Sequence, residues 1–385
     1  MDRNRRWDQG CRCKLRSYFQ DNSHLKEDLS NTSYFLKYKI MIDKNISLRD
    51  GTRHGRIING CWQFSQGHSD NTEMPAQVLQ KYIESWFPIF DGADIYTWVE
   101  EVFWKVFDAN REVIGLRFHT KHVPDLDDVI SGNISREKTI SQIMRSCSKM
   151  KTGVLQNVQF HWWDYAQSWY EISLNALLGL QSEWIIEHIW VTNCNVTFLK
   201  KLEKELWFIP MTTQNQYSII DRRPESYLIP HILEKNIWLY CYGSLMGWLL
   251  SDRYLGVGRP QEPLENRSLR KYLRVIDDWG DWKLFQVLLQ VLSQIWDKYE
   301  VSISEVSIAW ILHQKWLSSA IVWVRNTKYL NSLDRVLNID LTKEDLAMID
   351  KVYFKWQSLE WDVFDLERNE PRHRDIMKFN LNKDD

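Results

Sequence analysis

The chain has 385 residues, 44% of them apolar, and a formal net charge of −2. That length accommodates one large domain or two ordinary ones. The near-neutral charge excludes a global field that would draw the protein to nucleic acid or to an acidic membrane. No apolar run reaches the roughly 18 residues of a membrane span, and the Arg-rich opening MDRNRRWDQGCRCKLRSYFQ lacks the apolar core of a secretory signal, so a cytoplasmic protein is expected. The six cysteines (Cys11, Cys13, Cys61, Cys147, Cys194, Cys241) are scattered and read as free thiols rather than a disulfide framework or a metal site. One count is abnormal: 21 Trp against 15 Gly, where usage near 7% would give about 27 Gly.

Residues 1–50 are polar and lack a clean period, which predicts an N-terminal extension, with residues 51–385 forming the folded body and its C-terminal tail. Within that body short strand-like runs alternate with helical ones. The strand candidates in chain order are WFPIFD (86–91), VIGLRFHTK (113–121), VLQNVQFHWW (154–163), IIEHIWVTN (185–193), FIPMTTQNQYS (208–218), NIWLYCYGS (236–244) and SAIVWVR (319–325). Between them, apolar residues at 3–4 spacing predict helices over 135–150, 173–184, 197–206 and 285–299, and a further one over 302–314. Strands separated by helices imply a parallel sheet. Seven strands are visible, and the eighth is expected to be hidden within 245–300. With no Gly-rich dinucleotide turn after the first strand, the reading is a closed (β/α)₈ TIM barrel.

Chemistry in such a barrel belongs at the C-terminal strand ends. Those ends carry Asp91, Tyr96, Lys121, His161, Thr192, Asn193, Gln214, Tyr242 and Arg325. Four of these suit carbonyl reduction. A Tyr hydroxyl can protonate the oxygen, but a reference pKa near 10 makes it a slow donor at neutral pH. A nearby ammonium would lower that pKa, a carboxylate would hold the ammonium, and a His would orient the carbonyl. Tyr96, Lys121, Asp91 and His161 match those roles. The hydride must come from a cofactor.

The same residues carry a resemblance. From about Arg56 to Asn382 the chain resembles the aldo-keto reductase superfamily. FDGADIY carries the matching Asp91 and Tyr96, TK carries Lys121, and VQFHWWDY carries His161. VQFHWWDY, LRKYLRVIDDWGDWKLFQVLLQVL (269–292) and LERNEPRHRDIMKFNLN (366–382) look like a subgroup of plants, fungi and bacteria. The resemblance implies NADP(H) as cofactor and a small carbonyl compound as substrate. It implies Thr192, Asn193 and Gln214 around the nicotinamide carboxamide, and Tyr242 as the stacking platform. It implies Ser244 and Leu245 in YGSLMGWLLS (242–251) over the pyrophosphate, and Arg325 at the 2′-phosphate, where a guanidinium fork suits a phosphate. Gly60, Cys61 and Trp62 match a first-hairpin segment near substrate and cofactor.

Trp86, Trp98, Trp104, Trp184, Trp190, Trp248, Trp323 and Trp361 stand where the resembling subgroup usually has Gly. Trp98 is expected to narrow the substrate mouth, Trp248 to intrude on the pyrophosphate loop and Trp323 on the phosphate site, and Ser332–Leu333 replaces the family's usual adenine contact. The principal expectation is an NADPH-dependent reductase. The alternatives are a cofactor-sensing or regulatory binding protein on the same barrel, and a decayed relative.

Overall fold

The structure is a computed structural model in which the described residues are 45–65, 74–264, 267–355, 359, 361–377 and 379. The extension expected over 1–50 therefore lies outside the described residues up to residue 44. Residues 45–50 begin an antiparallel hairpin, β1 (Asn45–Ser47) with β2 (Arg53–Gly55). Its tip residue Leu48 is buried against Ile58, Ile89, Trp190, Tyr240 and Ile321 in the barrel interior. The hairpin thus packs on the barrel instead of standing apart from it.

Eight parallel strands close the barrel in the order β10–β3–β4–β5–β6–β7–β8–β9. They are β3 (Ile57–Gly60), β4 (Ile89–Asp91), β5 (Arg117–His122), β6 (Leu155–Phe160), β7 (Ile186–Thr192), β8 (Thr212–Gln216), β9 (Trp238–Tyr242) and β10 (Leu317–Trp323). Seven coincide with the runs read from sequence. The eighth does not lie within 245–300, where the described residues form a 3₁₀ turn and the helices Arg267–Trp279 and Trp282–Tyr299. It is β3, only four residues long and fully buried. Gly60 is accordingly the end of a barrel strand and not part of a hairpin.

The helices form where amphipathic periodicity meets a cap. Ser135 and Asn195 accept hydrogen bonds from Lys138 N and Phe198 N at the starts of their helices. Ser302 with Glu305, and Thr342 with Asp345, complete capping boxes. The apolar faces of these helices pack on the outer barrel wall and form one continuous core.

Several helix ends demand a left-handed residue. After the helix Pro75–Glu84, Phe87 N bonds Tyr82 O and Trp86 N bonds Ile83 O. After the helix Tyr170–Ser182, Ile185 N bonds Leu180 O and Trp184 N bonds Gln181 O. Each pair is a Schellman motif, whose penultimate residue takes positive φ and is usually Gly. Here it is Trp86 at φ 69° and Trp184 at φ 60°. Both indoles are exposed, at 89% and 78%, so packing offsets little of the left-handed strain, about 1–2 kcal/mol per residue.

Trp86→Gly and Trp184→Gly are therefore each expected to raise stability by about 1 kcal/mol, even after glycine's extra unfolded-state entropy is set against the gain. Denaturant unfolding measures this; a loss of stability in both variants would show that the indoles hold the fold.

Candidate active site

The strand ends converge on one cavity of about 230 Å³ at the C-terminal mouth of the barrel. Asp91 lies at its centre. Its Oδ2 accepts from Lys121 Nζ at 2.7 Å, and its Oδ1 accepts from Gln159 Nε2 at 2.7 Å and Gln214 Nε2 at 2.9 Å. Lys121 also donates to the Gly92 carbonyl at 2.7 Å. Both charged side chains are almost completely buried. Four strands, β4, β5, β6 and β8, are thereby tied at their ends through one carboxylate.

Tyr96 follows in the turn between β4 and the helix Val99–Ala109. Tyr96 N bonds Ala93 O at 2.9 Å, and the ring packs edge-on against Trp62 with centroids 4.8 Å apart. Lys121 Nζ lies 5.3 Å from the Tyr96 ring centroid. The sequence reading expected Lys121 to lower the phenol. The structure reverses the sign: Tyr96 is pushed well above the usual phenol range, first by burial and then by the charge of Asp91. The Lys121 charge is already matched by Asp91, so the resting Tyr96 keeps its proton.

His161, just past β6, faces the cavity between Trp163 (4.2 Å between centroids) and Phe364 (5.6 Å). Its Nδ1 lies 3.3 Å from the Thr192 carbonyl. A carbonyl only accepts, so Nδ1 carries the proton. Burial first, then the Arg368 guanidinium, push the imidazole down to about 3. His161 is thus neutral at physiological pH, and its unpartnered, buried Nε2 is a hydrogen-bond acceptor.

Thr192, Asn193, Gln214 and Tyr242 line the same cavity. Asn193 has left-handed backbone (φ 58°), and its Oδ1 accepts from the Tyr242 hydroxyl at 2.8 Å. Ser244 and Leu245 lie beyond Tyr242, in an adjoining groove with Gly243, Gly247, Trp248, Ile321 and Trp323, the last two of which also line the main cavity. Only about 10 Å³ remains open there, room for roughly one water. Trp248 stacks on Tyr329 at 4.5 Å, and Ser244 Oγ turns inward to the Ile321 carbonyl at 3.2 Å. Arg325 lies two residues past β10 and lines neither space.

Other expectations need correction. Trp98 does not narrow the mouth: it is 64% exposed and absent from the cavity wall. Leu333, in place of the family's usual adenine contact, is buried in the core. Sequence reasoning missed Gln159, which looks like ordinary strand alternation. It also missed the C-terminal contributors. Arg223 bonds Asp221 and Glu367 inside the protein, and Lys271 lies 3.4 Å from Glu367. That ion network fixes the C-terminal segment over the cavity, so that Lys271 and Phe364 become part of its wall. The matched stretches around Lys271 and Glu367 held the signal.

Asp94 is buried beside the site. It accepts from Val123 N at 3.2 Å and from Gln142, which ties the Tyr96 turn to the end of β5 and to the helix Arg136–Lys149. Burial first, then Glu100, push its carboxyl up to about 7. A raised folded pKa stabilises the protonated form. That contribution is full below about pH 4 and is lost as pH rises through about 7. Asp94→Asn should therefore gain stability relative to the unsubstituted chain as pH rises from about 4 to 7. Melting temperatures across that range test it; a difference that stays constant with pH would refute the burial argument.

The family model for the aldo/keto reductase family matches residues 56–353. An uncharacterised oxidoreductase, YrpG, of Bacillus subtilis is 22% identical, covering 79% of this chain and 94% of its own length. An NADH-specific methylglyoxal reductase of Escherichia coli is 24% identical over 56% of this chain and 64% of that protein. Among solved structures, an aldo/keto reductase from Klebsiella pneumoniae in complex with NADP and acetate superimposes with a TM-score of 0.62 at 16% identity, covering 82% of this chain and 99% of the other.

Proposed function

Because the chain belongs to the aldo/keto reductase family, we propose that it is an oxidoreductase that reduces a small aldehyde or ketone to the alcohol, with Tyr96 as general acid. The observation that carries this reading is the joint placement of Asp91, Tyr96, Lys121 and His161 on one cavity. Tyr96 holds its proton at rest. As negative charge grows on a carbonyl oxygen beside it, Tyr96 gives up that proton, and Lys121 is close enough to stabilise the phenolate that forms. Asp91 keeps Lys121 in place and charged. His161, with Nε2 as acceptor, holds the hydroxyl of the product alcohol. Burial of Asp91, Lys121 and His161, with Tyr96 partly buried beside them, limits the access of bulk water, which strengthens each interaction.

NADP(H) is the proposed cofactor, and it supplies the hydride when bound. Thr192, Asn193, Gln214 and Tyr242 would hold its nicotinamide end, which the cavity accommodates. Its diphosphate does not fit the groove as Trp248 and Trp323 leave it. That closed groove favours, as a second reading, a barrel that binds a small ligand without turning it over. The substrate is proposed to be a small carbonyl compound, since the lining is mostly apolar with a few convergent polar groups. Among the described residues no helix is long and apolar enough to cross a membrane.

Tyr96→Phe is expected to lower the rate of aldehyde reduction by about 10²–10⁴-fold with an unchanged melting temperature. The comparison is made both in the unsubstituted chain and in Trp248→Gly/Trp323→Gly. Turnover that survives the loss of the hydroxyl would sink the assignment of Tyr96.

A further inference from the structure

Among the described residues, eleven non-glycine positions have positive φ, and five of them are tryptophan: Trp86, Trp98, Trp184, Trp207 and Trp248. The left-handed region is unfavourable for any residue with a Cβ and is rare for bulky ones. Asn193 and Asn236 in the same set are residues that tolerate it. Four of the five tryptophans are exposed, with Trp207 at 92% the most open. Nothing in their packing repays the strain.

The other tryptophans among the described residues are not on left-handed backbone. Trp162 and Trp163 are buried, and their indole N–H groups donate to Asp164 O at 2.8 Å and Pro124 O at 2.6 Å. Trp190, one of the family's glycine positions, is instead buried in the barrel with its indole N–H unpartnered. Two populations of tryptophan therefore coexist. One is packed on ordinary backbone. The other occupies backbone shaped for glycine.

Two tryptophans that stand at the resembling subgroup's glycine positions meet the site, one on left-handed backbone and one on ordinary strand backbone. Trp248 is left-handed and stacked on Tyr329. Trp323 ends β10, where its Cδ1 would lie 3.2 Å from a Cβ built on Gly60. Together they reduce the groove beyond Tyr242 to the volume of about one water.

We propose that Trp248 and Trp323 determine cofactor access, and that the cofactor-competent protein carries glycine at both, as at the left-handed Trp86, Trp98, Trp184 and Trp207. Resting on the NADP(H) reading, this names the residues that decide whether a dinucleotide can enter. A single cause accounts for the whole set. The codon UGA is read as tryptophan in some genetic codes and as glycine in others. A gene that uses UGA for glycine would show tryptophan at those positions when read in the other code. Its GGN glycines and its catalytic residues would be untouched. Random decay would have no reason to spare Asp91, Tyr96, Lys121 and His161.

Two measurements test this. Calorimetric titration with NADPH compares the full unsubstituted chain with Trp248→Gly/Trp323→Gly, and with Trp207→Gly as a control remote from the groove. The double variant is expected to bind at least about 100-fold more tightly, and Trp207→Gly to bind like the unsubstituted chain. Equal affinities would overturn the gating role, and so would a failure of the double variant to bind. Because binding is read without turnover, such a failure is distinct from failure of the Tyr96 assignment. Peptide mass analysis of the protein made in its own host is expected to find glycine at 207, 248 and 323. Tryptophan at those positions would overturn the decoding.

Discussion

The buried Asp91 carboxylate organises the mouth of this barrel. A buried ion pair is stable only when its remaining lone pairs and protons are satisfied, and removing one partner typically costs about 3–5 kcal/mol. Asp91 meets that condition with one ammonium and two amide donors, each from a different strand. The strand ends therefore cannot shift independently. Tyr96 inherits this rigidity, because the turn that carries it begins at Gly92, whose carbonyl is also bonded to Lys121. Asp94 fastens the same turn from the outer side, through Val123 N and Gln142. The proposed proton donor, whose position would matter to a fraction of an ångström, is thus held from both sides.

The electrostatics follow from the same burial. A partly buried phenol next to a carboxylate retains its proton, and an imidazole away from water stays neutral. The site at rest thus holds Tyr96 as a loaded acid and His161 as an acceptor, with Lys121 already compensated by Asp91. In the proposed reaction, charge stabilisation by Lys121 becomes worth most when the phenolate begins to form. That differential effect is what lowers a barrier. The sequence alone suggested a Lys that depresses the Tyr in the resting state, because spacing along the chain does not reveal that Asp91 and Lys121 neutralise one another first.

Much of the barrel was legible because short apolar runs ending in polar residues have a physical reason to be strands with functional tips. Asp91, Lys121, His161, Thr192 and Gln214 were found that way, and all line the cavity. β3 was not legible, since IING is too short to show a period and Gly60 looks like a turn. Gly60 is there for space: a Cβ would lie 2.8 Å from Ile321 Cγ2. Lys271, Phe364 and the Arg223–Glu367 pair were missed for another reason. Their partners lie far away in sequence, and only the closed barrel brings the C-terminal segment over its mouth.

The composition anomaly becomes intelligible at the level of the backbone. An unusual excess of tryptophan could be a property of the core, in which case the indoles would be buried and bonded, as Trp162 and Trp163 are. Trp86 and Trp184 instead complete Schellman motifs whose hydrogen bonds are all formed. The helix ends thus dictate the dihedral, and the side chain is carried along. A barrel tolerates this at exposed loop tips, because an indole in water displaces nothing. It is not tolerated in a groove that must admit a ligand, where the same substitution fills the space the ligand needs. Position in the fold, rather than the number of substitutions, therefore separates the tryptophans: Trp248 and Trp323 line the groove beyond Tyr242, and the exposed Trp86, Trp98, Trp184 and Trp207 line neither space.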